Sequence, residues 1–146
     1  MLRLYVGVDN KKVGYVLTED GKEVVREVSG QQVSHTEEES LLDALLRALK
    51  KVNYLHDMKK LNKKVRNKGG SLFIIVDNEK VLEYIKGSRK IKKFKLSDIL
   101  FNLALELAVS RYELEFLSNE NIVKIKVFGE ENINNNNNFE KITDIL

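Results

Sequence analysis

Apolar and polar positions alternate along Leu2-Arg3-Leu4-Tyr5-Val6-Gly7-Val8, the period of a strand with one face turned to a core. Asp9-Asn10-Lys11-Lys12 reads as a turn, and Val13-Gly14-Tyr15-Val16-Leu17 as a second strand. Asp20-Gly21 opens another turn before a third strand, Glu23-Val24-Val25-Arg26-Glu27-Val28. Connections this short predict three antiparallel strands.

The period then changes. Ser34 or Thr36 can cap a helix in which Leu42, Leu45, Leu49 and Val52 share one face. The pattern continues through Leu55, Met58, Leu61 and Val65, as one long helix or a bent pair, and Gly69-Gly70 stops it. Ser71-Leu72-Phe73-Ile74-Ile75-Val76 is almost continuously apolar, the signature of a central strand covered on both sides. A short helix over 79–85 is predicted next, then a helix capped by Ser97 that runs through Leu103 and Leu107 to Leu114 or Leu117. Asn119-Glu120-Asn121 breaks that helix, and Ile122 to Phe128 reads as a fifth strand. A polar segment, 130–138, holds Asn132 and Asn134 to Asn138 and reads as a flexible loop without core-forming residues. Phe139, Ile142 and Ile145 recur every third position after it and predict a short terminal helix. The expected order is β-β-β-α-β-α-β-α, in a single domain over 1–146 with a basic helical extension at 54–68.

Composition narrows the chemistry. The 146 residues include no Pro and no Cys, so no disulfide and no cysteine-ligated zinc site is possible. His35 and His56 are too few for a three-histidine metal site, and neither has the Ser and Asp context of a hydrolase triad. His35 reads as a polar loop residue, and Tyr5, Tyr15 and Phe94 as packing residues. No segment approaches the roughly 20 apolar residues of a membrane span, and the residues after Met1 lack the layout of a signal peptide. A cytoplasmic protein without membrane contact is expected.

The net charge of +3 conceals a division. Residues 47–68 carry nine basic side chains against Asp57 alone, and residues 86–95 carry six with no acid. The rest of the chain is net −11. Basic lobes beside an acidic body suit a polyanion held over a carboxylate site, so nucleic acid is the expected partner. Lys59, Lys60, Lys63, Lys64 and Arg66 in the first lobe, with Arg89, Lys90, Lys92 and Lys93 in the second, are the expected phosphate contacts.

Asp9 ends the first strand, Asp77 ends the fourth, and Glu37, Glu38 and Glu39 open the helix between them. If strands one and four are neighbours, both aspartates lie at the same sheet edge. Clustered carboxylates are costly unless cations neutralise them, which implies Mg²⁺ or Mn²⁺. A pair of such ions about 4 Å apart can activate water and stabilise a leaving oxygen in phosphodiester cleavage.

In this order the segments resemble the ribonuclease H-like superfamily over nearly the whole chain. The resemblance implies an α/β fold with a mixed five-stranded sheet, strand order 3-2-1-4-5, and helices on both faces. Leu4 to Asp9 is similar to the first strand and first catalytic aspartate. Ile74-Ile75-Val76-Asp77-Asn78-Glu79-Lys80-Val81 is similar to the fourth strand, its aspartate and the helix after it. The family's helix-borne glutamate falls best on Glu38, which shares a stripe with Leu42, Leu45 and Leu49. Glu39 would instead complete a capping box if Thr36 is the cap. The family's fourth carboxylate, from the last helix, falls on Asp144, with Glu140 as the alternative. The chain departs from ribonuclease HI in having Asn10-Lys11 after the first aspartate, no histidine in Phe128-Gly129-Glu130, and no Trp-rich handle. Its tight Asp9 hairpin looks more like the resolvase and integrase branches.

The function implied is a metal-dependent endonuclease acting on an RNA–DNA hybrid, duplex or branched DNA. A non-catalytic nucleic-acid-binding module on the same fold is one alternative. A structural protein that pairs through Leu42, Leu45, Leu49 and Val52 is another, and the chain is expected to be a monomer or homodimer.

Overall fold

The computed structural model describes residues 1–61, 70–87 and 94–129. Strands β1 (Leu2–Asp9), β2 (Lys12–Glu19) and β3 (Lys22–Gly30) form two consecutive antiparallel hairpins. The first turns on two residues of positive φ, Asn10 at 46° and Lys11 at 66°, which pairs Asp9 directly with Lys12. Helix α1 (Glu37–Asp57) follows, then β4 (Ser71–Val76), α2 (Glu79–Ile85), α3 (Phe94–Ala108), β5 (Glu113–Ser118) and α4 (Glu120–Phe128).

The sheet order is β3-β2-β1-β4-β5, with β4 parallel to both β1 and β5. This is the order expected from the sequence. The β1–β4 register runs from Leu2↔Leu72 to Val6↔Val76, so both strands end at the same edge of the sheet.

Alternation sorts the sheet into two faces. Leu2, Leu4, Val6, Val13, Leu17, Leu72, Ile74 and Val76 join α1, α2 and α3 in the larger core. Leu42, Leu45 and Leu49 of α1 are fully buried there, each contributing roughly 1.5–3 kcal/mol. The stripe that suggested helix pairing therefore covers the chain's own sheet. Tyr5, Val16 and Ile75 face the other way and pack beneath Ile122, Val123 and Val127 of α4. Tyr5 and Tyr15 are both packing residues, as expected.

The second half of the chain corrects two expectations. Residues 122–128 belong to α4, not to a fifth strand. Their β-branched residues suggest a strand, but both ends carry helix caps. The Asn119 side chain accepts from the Ile122 amide, and Gly129, in the left-handed conformation at φ 69°, returns its amide to the Ile125 carbonyl. The fifth strand is instead 113–118, which had read as the end of a helix. Leu114 and Phe116 alternate with Glu113 and Glu115, and that period of two fits the open edge of β4. Ser97 lies inside α3 rather than capping it.

Helix α1 starts where the capping-box pattern places it. The Thr36 hydroxyl accepts from the Glu39 amide at 3.1 Å, and the Glu39 carboxylate accepts from the Thr36 amide at 2.8 Å. The helix ends at Asp57, with Met58 as its cap. Among the described residues, no helix is long and apolar enough to cross a membrane.

Candidate active site

The C-terminal ends of β1 and β4 open into a cleft of about 460 Å³. Its wall carries Asp9, Glu37, Glu38, Asp77, Glu79 and Glu120, opposed by Lys124. Each acid arrives for a local reason. Asp9 is the last residue of β1 before the tight turn. Asp77 follows the last residue of β4, and Asn78 then caps α2 by accepting from the Lys80 amide at 2.9 Å. Glu38 is in the first turn of α1, one residue before the buried Glu39 that closes the capping box. Glu39 is thereby committed to the cap, and Glu37 and Glu38 are the members of the run that line the cleft.

Asp77 is the most constrained. Its Oδ2 accepts from the Val8 amide at 2.8 Å, which ties the end of β4 to the end of β1. Burial pushes its carboxyl up to about 6; the Val8 amide pulls it back, and the charge of Glu120 pushes it further up. Gly7 leaves room for this arrangement. A methyl there would overlap the Val123 side chain and lie 3.2 Å from Asp77 Oδ2.

Glu38 is held by a residue of α2. The Tyr84 hydroxyl, near the end of α2, donates to Glu38 Oε2 at 3.0 Å. Lys124 Nζ lies 2.9 Å from Glu120 Oε1 and 3.9 Å from Asp9 Oδ1. The positively charged lysine thus sits between two acids from different elements.

The expected set is brought together in part. Asp9, Glu38 and Asp77 share the cleft. Asp144 and Glu140 lie outside the described residues. Glu120, at the start of α4, lines the cleft and had not been foreseen. Its signal was Asn119-Glu120, a capping residue followed by a first-turn acid, which had been read only as a helix breaker. Tyr84 and Lys124 were also missed.

The acids converge on the cleft without closing on a point. Among the described residues, no three His, Asp or Glu side chains are gathered as a ready-made metal site. The donor set nonetheless suits a hard cation, because it consists of carboxylate oxygens. The lysine lodged between Asp9 and Glu120 shows that the cleft accommodates positive charge.

Of the expected phosphate contacts, Lys59 and Lys60 are described. They follow the far end of α1, about 30 Å along the helix from Glu38 at 1.5 Å per residue. Lys63, Lys64, Arg66, Arg89, Lys90, Lys92 and Lys93 lie outside the described residues. The second lobe is flanked by contacts to the first turn of α1 and to the residues just before it. Tyr84 precedes it, and at its close Lys95 Nζ reaches the Ser34 carbonyl and hydroxyl, at 3.2 and 3.3 Å, just before α1.

No protein-family model matches the chain, and no curated protein matches its sequence. Solved structures do match its shape. Ribonuclease H1 from a compost metagenome, solved with an RNA/DNA hybrid, is 17% identical with a TM-score of 0.64, over 88% of this chain and 90% of that one. The N-terminal ribonuclease H domain of a Mycobacterium tuberculosis protein is 13% identical with a TM-score of 0.58, covering 81% of this chain and 86% of its own. Ribonuclease H1 of Halobacterium salinarum is 16% identical with a TM-score of 0.53, covering 81% and 83%. The chain thus has the ribonuclease H-like fold.

Proposed function

We propose, from this ribonuclease H-like fold, that the protein is a metal-dependent endonuclease that hydrolyses phosphodiester bonds in nucleic acid. The observation that carries the reading is the convergence of Asp9, Glu38, Asp77 and Glu120, from four separate elements, on one cleft at the end of β1 and β4. An acidic cleft repels a phosphate backbone unless a cation lies between them. Mg²⁺ or Mn²⁺ bound there would supply that charge, together with water activation and stabilisation of the leaving oxygen.

The chain's own groups have distinct parts. Asp9 and Asp77, fixed by neighbouring parallel strands, offer oxygens from the sheet edge. Glu38 offers one from α1, and Glu120 stands in α4 as the fourth carboxylate, with Asp144 a further proposed ligand. Lys124 neutralises Asp9 and Glu120 and keeps the acids from repelling one another apart. Arg89, Lys90, Lys92 and Lys93 are proposed to hold the phosphate backbone, since their segment is flanked by Tyr84, which touches Glu38, and by Lys95, which touches Ser34 just before α1. Lys59, Lys60, Lys63, Lys64 and Arg66 are proposed as a more distant contact. An RNA–DNA hybrid heads the substrates, because the compost ribonuclease H1 was solved with one.

The open spacing of the acids, and the lysine among them, favour a second reading: a binding module that no longer cuts. Labelled hybrid, duplex, single-stranded and junction substrates, incubated with Mg²⁺ or Mn²⁺, separate the two. Scission abolished by EDTA and by Asp77→Asn supports the nuclease. Salt-sensitive binding without scission, indifferent to EDTA, supports the module.

A further inference from the structure

Helix α2 starts at the cleft and, near its end, reaches a residue that lines it. At its start, Asn78 caps it directly after Asp77. Near its end, the Tyr84 hydroxyl donates to Glu38 Oε2 at 3.0 Å. Val81 and Leu82, buried against the larger core, fix the helix between these points. The seven-residue helix therefore spans the two elements that carry Asp77 and Glu38.

A glutamate has three rotatable bonds, and holding its carboxylate in one place costs side-chain entropy. Glu38 sits at the start of α1, where nothing in the capping box restrains it, because Thr36 and Glu39 satisfy each other. The phenol supplies that restraint. It engages Oε2 of a residue that lines the cleft. Tyr84 is half-buried, and its ring packs on the larger core, so the hydroxyl has a fixed origin.

We propose that Tyr84 is a positioning residue for the cation site. It holds Glu38 in the orientation that ligates a divalent cation and couples that orientation to Asp77 through α2. The proposal rests on the metal-dependent reading of the same cleft. It predicts a loss in cation affinity rather than in the reaction once the site is filled. Groups that orient metal ligands typically change affinity by about 10–100-fold when removed, and a neutral phenol belongs at the low end.

The test is Mn²⁺ binding by isothermal titration calorimetry to the full chain, without substrate. The variants are Tyr84→Phe, Glu38→Gln and the double substitution. Tyr84→Phe keeps the ring, and unchanged thermal unfolding in EDTA confirms that packing is retained. The expected result is a Kd for Mn²⁺ about tenfold higher in Tyr84→Phe. The double variant should bind no worse than Glu38→Gln alone. In Tyr84→Phe alone, the loss of cleavage should be greatest at low Mn²⁺ and shrink as Mn²⁺ approaches saturation. If the parent binds Mn²⁺ and Tyr84→Phe binds it equally well, the positioning role is wrong and the nuclease reading stands. If the effects of Tyr84→Phe and Glu38→Gln add, Tyr84 acts through another group and the proposal fails. If the parent binds no Mn²⁺, both fall together.

Discussion

Asp77 is buried at the cleft, where its charged form is poorly solvated. Burial raises its carboxyl from an ordinary value near 4 to about 6, so without metal the charged form is the disfavoured one. A group raised in the folded state stabilises fully below its unfolded value and loses that contribution as pH climbs through its folded value. Between about pH 4 and 6 the metal-free protein should therefore lose up to about 3 kcal/mol from this residue. Asp77→Asn removes the charge and keeps an oxygen to accept from the Val8 amide. In EDTA at pH 7 the variant should be more stable than the parent by up to about 3 kcal/mol. For a domain of this size that raises Tm by roughly 6–12 °C. By pH 4 the gap should shrink to under about 1 kcal/mol, since Asp77 is then protonated in the folded state and about half protonated in the unfolded one. Saturating Mn²⁺ should stabilise the parent much more than the variant, because metal binding favours the carboxylate. Urea unfolding across pH 4–8, with EDTA or Mn²⁺, measures all three. A variant no more stable than its parent at pH 7 in EDTA, or a gap that ignores pH, would refute the reasoning.

Three further substitutions probe the same architecture. Gly7→Ala drives a methyl into Val123 and crowds Asp77, and should cost about 1–3 kcal/mol in urea unfolding. Glu120→Gln should weaken Mn²⁺ binding measured by calorimetry, whereas Lys59→Ala, about 30 Å along α1, should leave it unchanged; equal losses in both would remove Glu120 from the site.

The front half of the fold is legible because local chemistry and long-range packing agree there. Asp9-Asn10 marks a turn, Thr36 and Glu39 form a capping box, and the Leu42, Leu45, Leu49 stripe requires a sheet to cover. With β1 and β4 both apolar and central, the placement of Asp9 beside Asp77 follows. The back half resists because its local signals conflict with its caps. Ile122 to Phe128 is rich in strand formers, yet it lies between Asn119 and Gly129 and winds as a helix. Leu114 and Leu117 also fit a helical spacing, and only the free edge of β4 makes the alternation of Leu114 and Phe116 decisive. That displacement hid Glu120 and Lys124, whose positions depend on α4 being a helix. Tyr84 was hidden for another reason: its hydroxyl meets Glu38 across 46 residues, which no local period encodes.

The most direct measurement is the anomalous scattering of Mn²⁺ in crystals of the protein soaked to saturation. The account predicts manganese in the cleft, ligated by Asp9 and Asp77, with Glu38 and Glu120 drawn toward it and Lys124 displaced from Asp9. A cleft empty of manganese at saturation, with Lys124 still against Asp9, would contradict it.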